Sequence, residues 1–144
     1  MNNKDISKEW FKMAELDFDS AKFLVAMKPR PIEIICYHCQ QSAEKYLKGF
    51  IAYNGGIIPK THDLQILNKE CCYLHEGLKI IQDECIDLTD YGVQVRYPFH
   101  MELNEHDAKA GVKNAENIRK QILRVIEELE EGQKMTSDNS KGSS

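Results

Sequence analysis

Residues 34–53 read IICYHCQQSAEKYLKGFIAY, and the spacing of side chains in this stretch decides the fold class. At about 100° per residue, Cys36, Cys39, Ala43, Leu47 and Phe50 fall on one stripe, the mark of a buried helix face. His38, Gln41, Lys45 and Lys48 repeat at 3-4-3 spacing on a second, opposed stripe. An imidazole, an amide and two ammonium groups can all donate hydrogen bonds to an anion. This stripe is therefore a candidate anion-binding face. The same residues also fit an ordinary solvated face carrying a satisfied histidine.

Upstream, Trp10, Ala14, Phe18, Ala21 and Val25 predict a helix from about Ser7, a good N-cap, to Met27. Lys28-Pro29-Arg30-Pro31 stops it, because a residue before proline leaves the α region. Pro31 can then open the central helix, where its missing N–H costs nothing. Asn54-Gly55-Gly56 ends that helix. Thr61 or Asp63 can cap a third helix on Leu64, Leu67, Cys71 and Leu74. Gly77 marks a break before a fourth helix on Leu78, Ile81, Cys85 and Leu88, running to about Tyr91. Gly92–Leu103 reads as a loop, since a short strand there has no second strand to pair with. A long amphipathic helix then runs from Glu105 to about Glu131, and the Ser-, Gly-, Lys- and Asn-rich residues Gly132–Ser144 are expected to be a disordered tail. Helices joined by short loops predict an all-α, antiparallel up-and-down bundle of four to five helices, one domain over residues 1–131.

Composition narrows the function classes. The 144 residues suffice for a single core. A net charge of −4 argues against a surface that grips nucleic acid all over, but leaves room for a local cationic patch. No apolar run approaches the ~20 residues that span a bilayer, and no basic-then-apolar leader precedes the first helix. The expected location is cytoplasmic, with no membrane partner. The cysteines number five, an odd count, with several at core positions, so they are read as reduced, small apolar residues. Cys36 and Cys39 supply half of a zinc pattern with no second pair at suitable spacing, and His62, His75 and His106 stand apart. No glycine-rich phosphate loop and no nucleophile elbow occur. No metal and no cofactor are expected.

Arg96-Tyr97-Pro98-Phe99-His100 is the other stretch that carries chemistry. Arginine offers a planar fork to phosphate, histidine can give or take a proton near neutral pH, and tyrosine can stack on a base. Alternatively, Arg96 pairs with a carboxylate and the aromatics cover the end of the bundle.

Three separated motifs resemble one family. Residues 36–49, CYHCQQSAEKYLKG, resemble the second-helix signature of HEPN (higher eukaryotes and prokaryotes nucleotide-binding) domains. Pro59-Lys60-Thr61-His62-Asp63-Leu64 resembles that family's entry to its third helix, and Arg96-Tyr97-Pro98 its loop before the final helix. The first helix, Ala14–Ala21, fits as well, so the resemblance covers about residues 7–131 in order.

The resemblance implies a helical bundle, a homodimer and, in many small members, pairing with a minimal nucleotidyltransferase in a toxin–antitoxin system. Some members are metal-independent ribonucleases built on an Arg and a His separated by four to six residues. Here Arg96 and His100 are separated by three, with Pro98 among them, a departure from that pattern. The leading expectation is a module that binds nucleotide or RNA phosphate through Lys45, Lys48 and Arg96, helped by His38, Gln41 and Tyr97. The alternatives are a ribonuclease in which Arg96 and His100 are catalytic, and a dimeric interaction scaffold that binds no nucleotide.

Overall fold

The computed structural model describes residues 1–92 and 102–142. Helix α1 spans Asn3–Leu24, α2 Ile32–Tyr53, α3 Leu64–Leu74, α4 Gln82–Leu88 and α5 Glu105–Gly142. Short 3-10 turns, Glu76–Ile81 and Thr89–Gly92, flank α4. No strand occurs among the described residues, and the architecture is the all-α bundle expected.

Helix α2 is the axis, because its apolar stripe continues round most of its circumference. Ile35, Cys36, Tyr46, Leu47 and Phe50 are all buried, and α1, α3 and α5 pack on three sides of it. Helices α1 and α2 run antiparallel: Ser42 Oγ donates to the Ala14 carbonyl at 2.9 Å, and Asn3 lies beside Gly55. Their seam is lined by small residues at sevenfold spacing. Ser7, Ala14 and Ala21 of α1 are buried, as are Ser42 and Gly49 of α2. Residues seven apart lie nearly over one another on a helix, so these form two smooth strips that let the backbones approach.

The return leg after α2 is a stretch of chain, not a helix. Gly55 takes φ 72°, where glycine carries no steric cost, and turns residues 54–63 back along α2. Asp63, one of the two expected caps, accepts from the Gln65 N–H at 2.9 Å and starts α3. Helix α3 then descends beside α2, with the Cys71 thiol against the Leu47 carbonyl. It stops at His75, whose extended backbone and ring nitrogen cap the 3-10 turn at the Gly77 N–H. The break falls two residues before Gly77.

Two boundaries differ from the sequence reading. Asn2, not Ser7, caps α1, through a reciprocal capping box with Asp5. Ser7 is wanted instead as a small residue in the α1–α2 seam, where its hydroxyl is buried without a partner among the described residues. Helix α5 continues to Gly142 rather than ending near Glu131. Nothing in 132–142 breaks a helix outright, and propagation of a formed helix costs little, so lone Gly132 does not end it. Residues 131–136 of this extension are exposed.

One ionic cluster ties three helices together. Arg119 of α5 donates from Nε at 2.9 Å and Nη2 at 2.9 Å to the Glu15 carboxylate of α1, which also accepts from the Tyr46 hydroxyl of α2. Arg119 holds the Glu15 carboxyl below its ordinary value, while burial, then Glu15, push the Tyr46 hydroxyl up. Nearby, Gly111 of α5 passes against Cys39 and Cys36. Burial pushes the Cys36 thiol up to about 12 and the Cys39 thiol higher, so both behave as core atoms, not as thiolates.

Two outcomes follow from this packing. A Cβ on Gly49 would lie 2.6 Å from the Phe11 ring and 3.1 Å from Trp10 Cβ. Gly49→Ala should therefore lower stability in denaturant unfolding by about 1–2 kcal/mol, despite a helix-propensity gain of ~1 kcal/mol. Glu15 stabilises the fold fully above its ordinary value of 4.5, and that contribution disappears as pH falls through the lower folded value. Glu15→Gln should cost on the order of 1 kcal/mol at pH 7, after allowance for solvent screening. It should also flatten the loss of Tm below pH 4.5.

Candidate functional site

One sector of α2 bears Tyr37, Gln41 and Lys48, with His38 and Lys45 along its α1 edge. All five are partly or largely withdrawn from solvent. Helix α1 brings Asp17 to one side of this sector and the 61–63 connection brings His62 to the other, and the strip between them is the α2 groove. The 3-4-3 spacing that selected His38, Gln41, Lys45 and Lys48 thus brings them into one place, though not onto an open face.

Each of the four has a partner. The Asp17 carboxylate of α1 meets His38 Nδ1 at 2.9 Å and also accepts from Lys45 Nζ. The Glu44 carboxylate is 4% exposed and takes Lys48 Nζ at 3.2 Å and His62 Nδ1 at 2.8 Å. Gln41 Nε2 donates to Gln40 Oε1 at 2.8 Å, and Gln40 Nε2 donates to the His62 carbonyl at 3.0 Å. Lys48 Nζ also lies 5.7 Å from the centre of the Trp10 ring, a cation–π contact. Cations this far from water need carboxylates, and the groove supplies two.

Asp17, Glu44, Gln40 and His62 are the site residues that periodicity missed. Glu44 and Lys48 stand at i,i+4, a pairing visible in the sequence. Asp17 has no such local signal, because its partners lie on another helix. The charge balance is informative. Two ammonium groups face two carboxylates, so the groove is neutral while both imidazoles are neutral. It becomes doubly positive when both are protonated. The chemistry on offer is anion binding: with Nδ1 of His38 held by Asp17, Nε2 is the ring nitrogen left for a ligand.

Arg96, Tyr97 and His100 lie outside the described residues. The chain enters that segment beside the amino-terminal half of α2. There the Tyr91 hydroxyl donates to Asp107 at 3.4 Å, and burial, then Cys36 of α2, push that hydroxyl up. Arg30, between α1 and α2, donates from Nε to the Val25 carbonyl at 2.7 Å and pairs with Glu105 at the start of α5. Among the described residues, no group of three or more His, Cys, Asp and Glu is arranged to hold a metal.

The HEPN domain model matches residues 7–129. Among solved structures, TT1696 from Thermus thermophilus has the same fold, with a TM-score of 0.70 at 20% identity over 86% of this chain and 98% of that one. ST0689, an archaeal HEPN homologue, gives a TM-score of 0.65 at 24% identity over 83% of this chain and 97% of its own. No curated protein matches the sequence. The family match spans the helices that build the groove, from α1 through most of α5, and the chain belongs to the HEPN domain family.

Proposed function

We propose that this HEPN protein binds nucleotide or RNA phosphate in the α2 groove and works as a homodimer partnered with a minimal nucleotidyltransferase in a toxin–antitoxin-type pair. The observation that carries the binding reading is the convergence of His38, Gln41, Lys45 and Lys48 along one groove. A lysine ammonium has three N–H donors and an amide two, so the internal pairs leave donors for phosphate oxygens. Arg96 and Tyr97, on the segment that follows Gly92, belong to this reading as a further phosphate fork and a base-stacking ring.

A second reading, the ligand-free interaction scaffold, draws on a different observation. Every charged group of the groove already has a partner within the chain.

Titration of a short RNA and of ATP against the full chain separates these readings. Binding should weaken with added salt. Lys45→Gln and Gln41→Ala should weaken binding. Asp17→Asn, which releases Lys45 and His38 from their shared carboxylate, should strengthen it. Failure of the RNA and ATP to bind at pH 6 favours the scaffold, as does binding indifferent to both Lys45→Gln and Asp17→Asn. If RNA is instead cut without metal, and Arg96→Ala or His100→Ala stops the cutting, the protein is the ribonuclease.

A further inference from the structure

Helix α1 has two apolar faces, and the bundle covers only one of them. Ser7, Ala14, Phe18 and Ala21 face α2 and are buried. Roughly 140° round the helix, Ile6, Met13, Leu16 and Phe23 form a second stripe that is open to solvent, with Leu16 69% and Phe23 81% exposed. Their spacing, seven, three and seven, is that of a coiled-coil seam, with Ile6 and Met13 at one heptad position and Leu16 and Phe23 at the other. Four large apolar side chains in that register on a single exposed helix face are not the scattered apolar residues of an ordinary surface.

We infer that the outer face of α1 packs antiparallel against the same face of a second copy of this chain. A two-fold axis near the middle of α1 makes the contact self-complementary. Met13 then meets the partner's Leu16, and Ile6 meets the partner's Phe23, each pair occurring twice. Beside the seam, Lys12 falls next to the partner's Asp19. Both are exposed, and neither has an ion pair among the described residues. The parallel arrangement is worse on two counts. It sets Glu9 against the partner's Glu9 in the seam, and it turns Lys12 towards the partner's Asp17, a carboxylate that would already hold His38 and Lys45.

A groove of about 440 Å³ opens at the Phe23 end of the stripe, lined by Asp19, Ser20, Phe23, Leu24 and His38. The antiparallel register brings the partner's Ile6 to its mouth, so each copy would help to close the other's groove at His38.

This assigns a surface to the dimer proposed above. It is read by mass alone, so its outcome does not depend on whether a nucleotide binds. Helix α1 is ~33 Å long, and a seam ~10 Å wide gives a footprint of roughly 330 Å² per copy. That is well below the ~800 Å² per partner of a standard interface, so the dimer should dissociate on dilution. In analytical ultracentrifugation of the full chain, the mean mass should rise with concentration from 16.6 kDa towards twice that value.

Leu16→Glu should hold the mass at 16.6 kDa with an unchanged helical circular dichroism spectrum, since the side chain lies outside the core. Lys12→Glu should weaken dimerisation about tenfold by turning two ion pairs into repulsions, and adding Asp19→Lys should restore it. A monomer at every concentration overturns the inference, as does a Leu16→Glu chain that dimerises like the parent. Failure of the charge exchange to restore association overturns it as well.

Discussion

Glu44 holds its carboxylate inside the bundle at 4% exposure, and the way the chain satisfies that charge fixes how α3 is attached to α2. A carboxylate withdrawn from water is costly unless cations and hydrogen bonds surround it. One cation, Lys48, comes from the next turn of the same helix. A second partner, the His62 ring, comes from elsewhere, brought by the connection after α2. Once the His62 ring meets Glu44, its backbone carbonyl accepts from Gln40, the Thr61 hydroxyl accepts from the Asp63 N–H at 3.0 Å, and Asp63 caps α3. The Thr-His-Asp triplet is thus a clamp that seats the third helix. Removal of Lys48 would leave Glu44 buried and underpaired, which costs far more than the pair itself contributes.

The same demand operates at the α1 wall of the groove. Small residues in the α1–α2 seam bring the two helices so close that Lys45 and His38 lose much of their water, and Asp17 replaces it. A groove whose lysines are balanced by carboxylates is a different device from an open cationic patch. It holds its donors in fixed positions, as a preorganised site must, yet its field is neutral until a histidine gains a proton. Any anion that enters competes with a carboxylate already present. Discrimination would then come from geometry and from protonation more than from bulk attraction.

The fold was legible from the 34–53 stretch because helix periodicity reports burial directly. A chain with one helix apolar on most of its faces and four more that each carry an apolar stripe has few ways to hide them. The pattern also put His38, Gln41, Lys45 and Lys48 in one place. It could not supply Asp17, since a salt bridge between helices has no fixed sequence spacing. Ser7 illustrates the reverse error: a good N-cap by type, it was needed more as a small side chain against α2, and Asn2 with Asp5 supplied the stronger cap. The overrun of α5 had no apolar signal, and its residues 131–136 are exposed. Helix propagation alone carries it, and propensity is the weakest of the local cues.

One property of α1 joins these strands. A seven-residue repeat drifts only ~20° per heptad on a straight helix, so Ser7, Ala14 and Ala21 can track Ser42 and Gly49 along the whole contact. Residues shifted by one position inherit the same repeat: Ile6, Met13 and Ser20 follow the outer side as faithfully as their neighbours follow the inner one. The bundle needs the inner strip to be small so that α2 can approach. Nothing in the monomer needs the outer strip to be apolar, and exposed Leu16 and Phe23 gain nothing from a lone bundle in water. A helix that is smooth on one side and apolar on the other is built to sit between two layers. Helix α2 is the first of them, and the outer stripe has the spacing and charge pattern to take the α1 of another copy as the second.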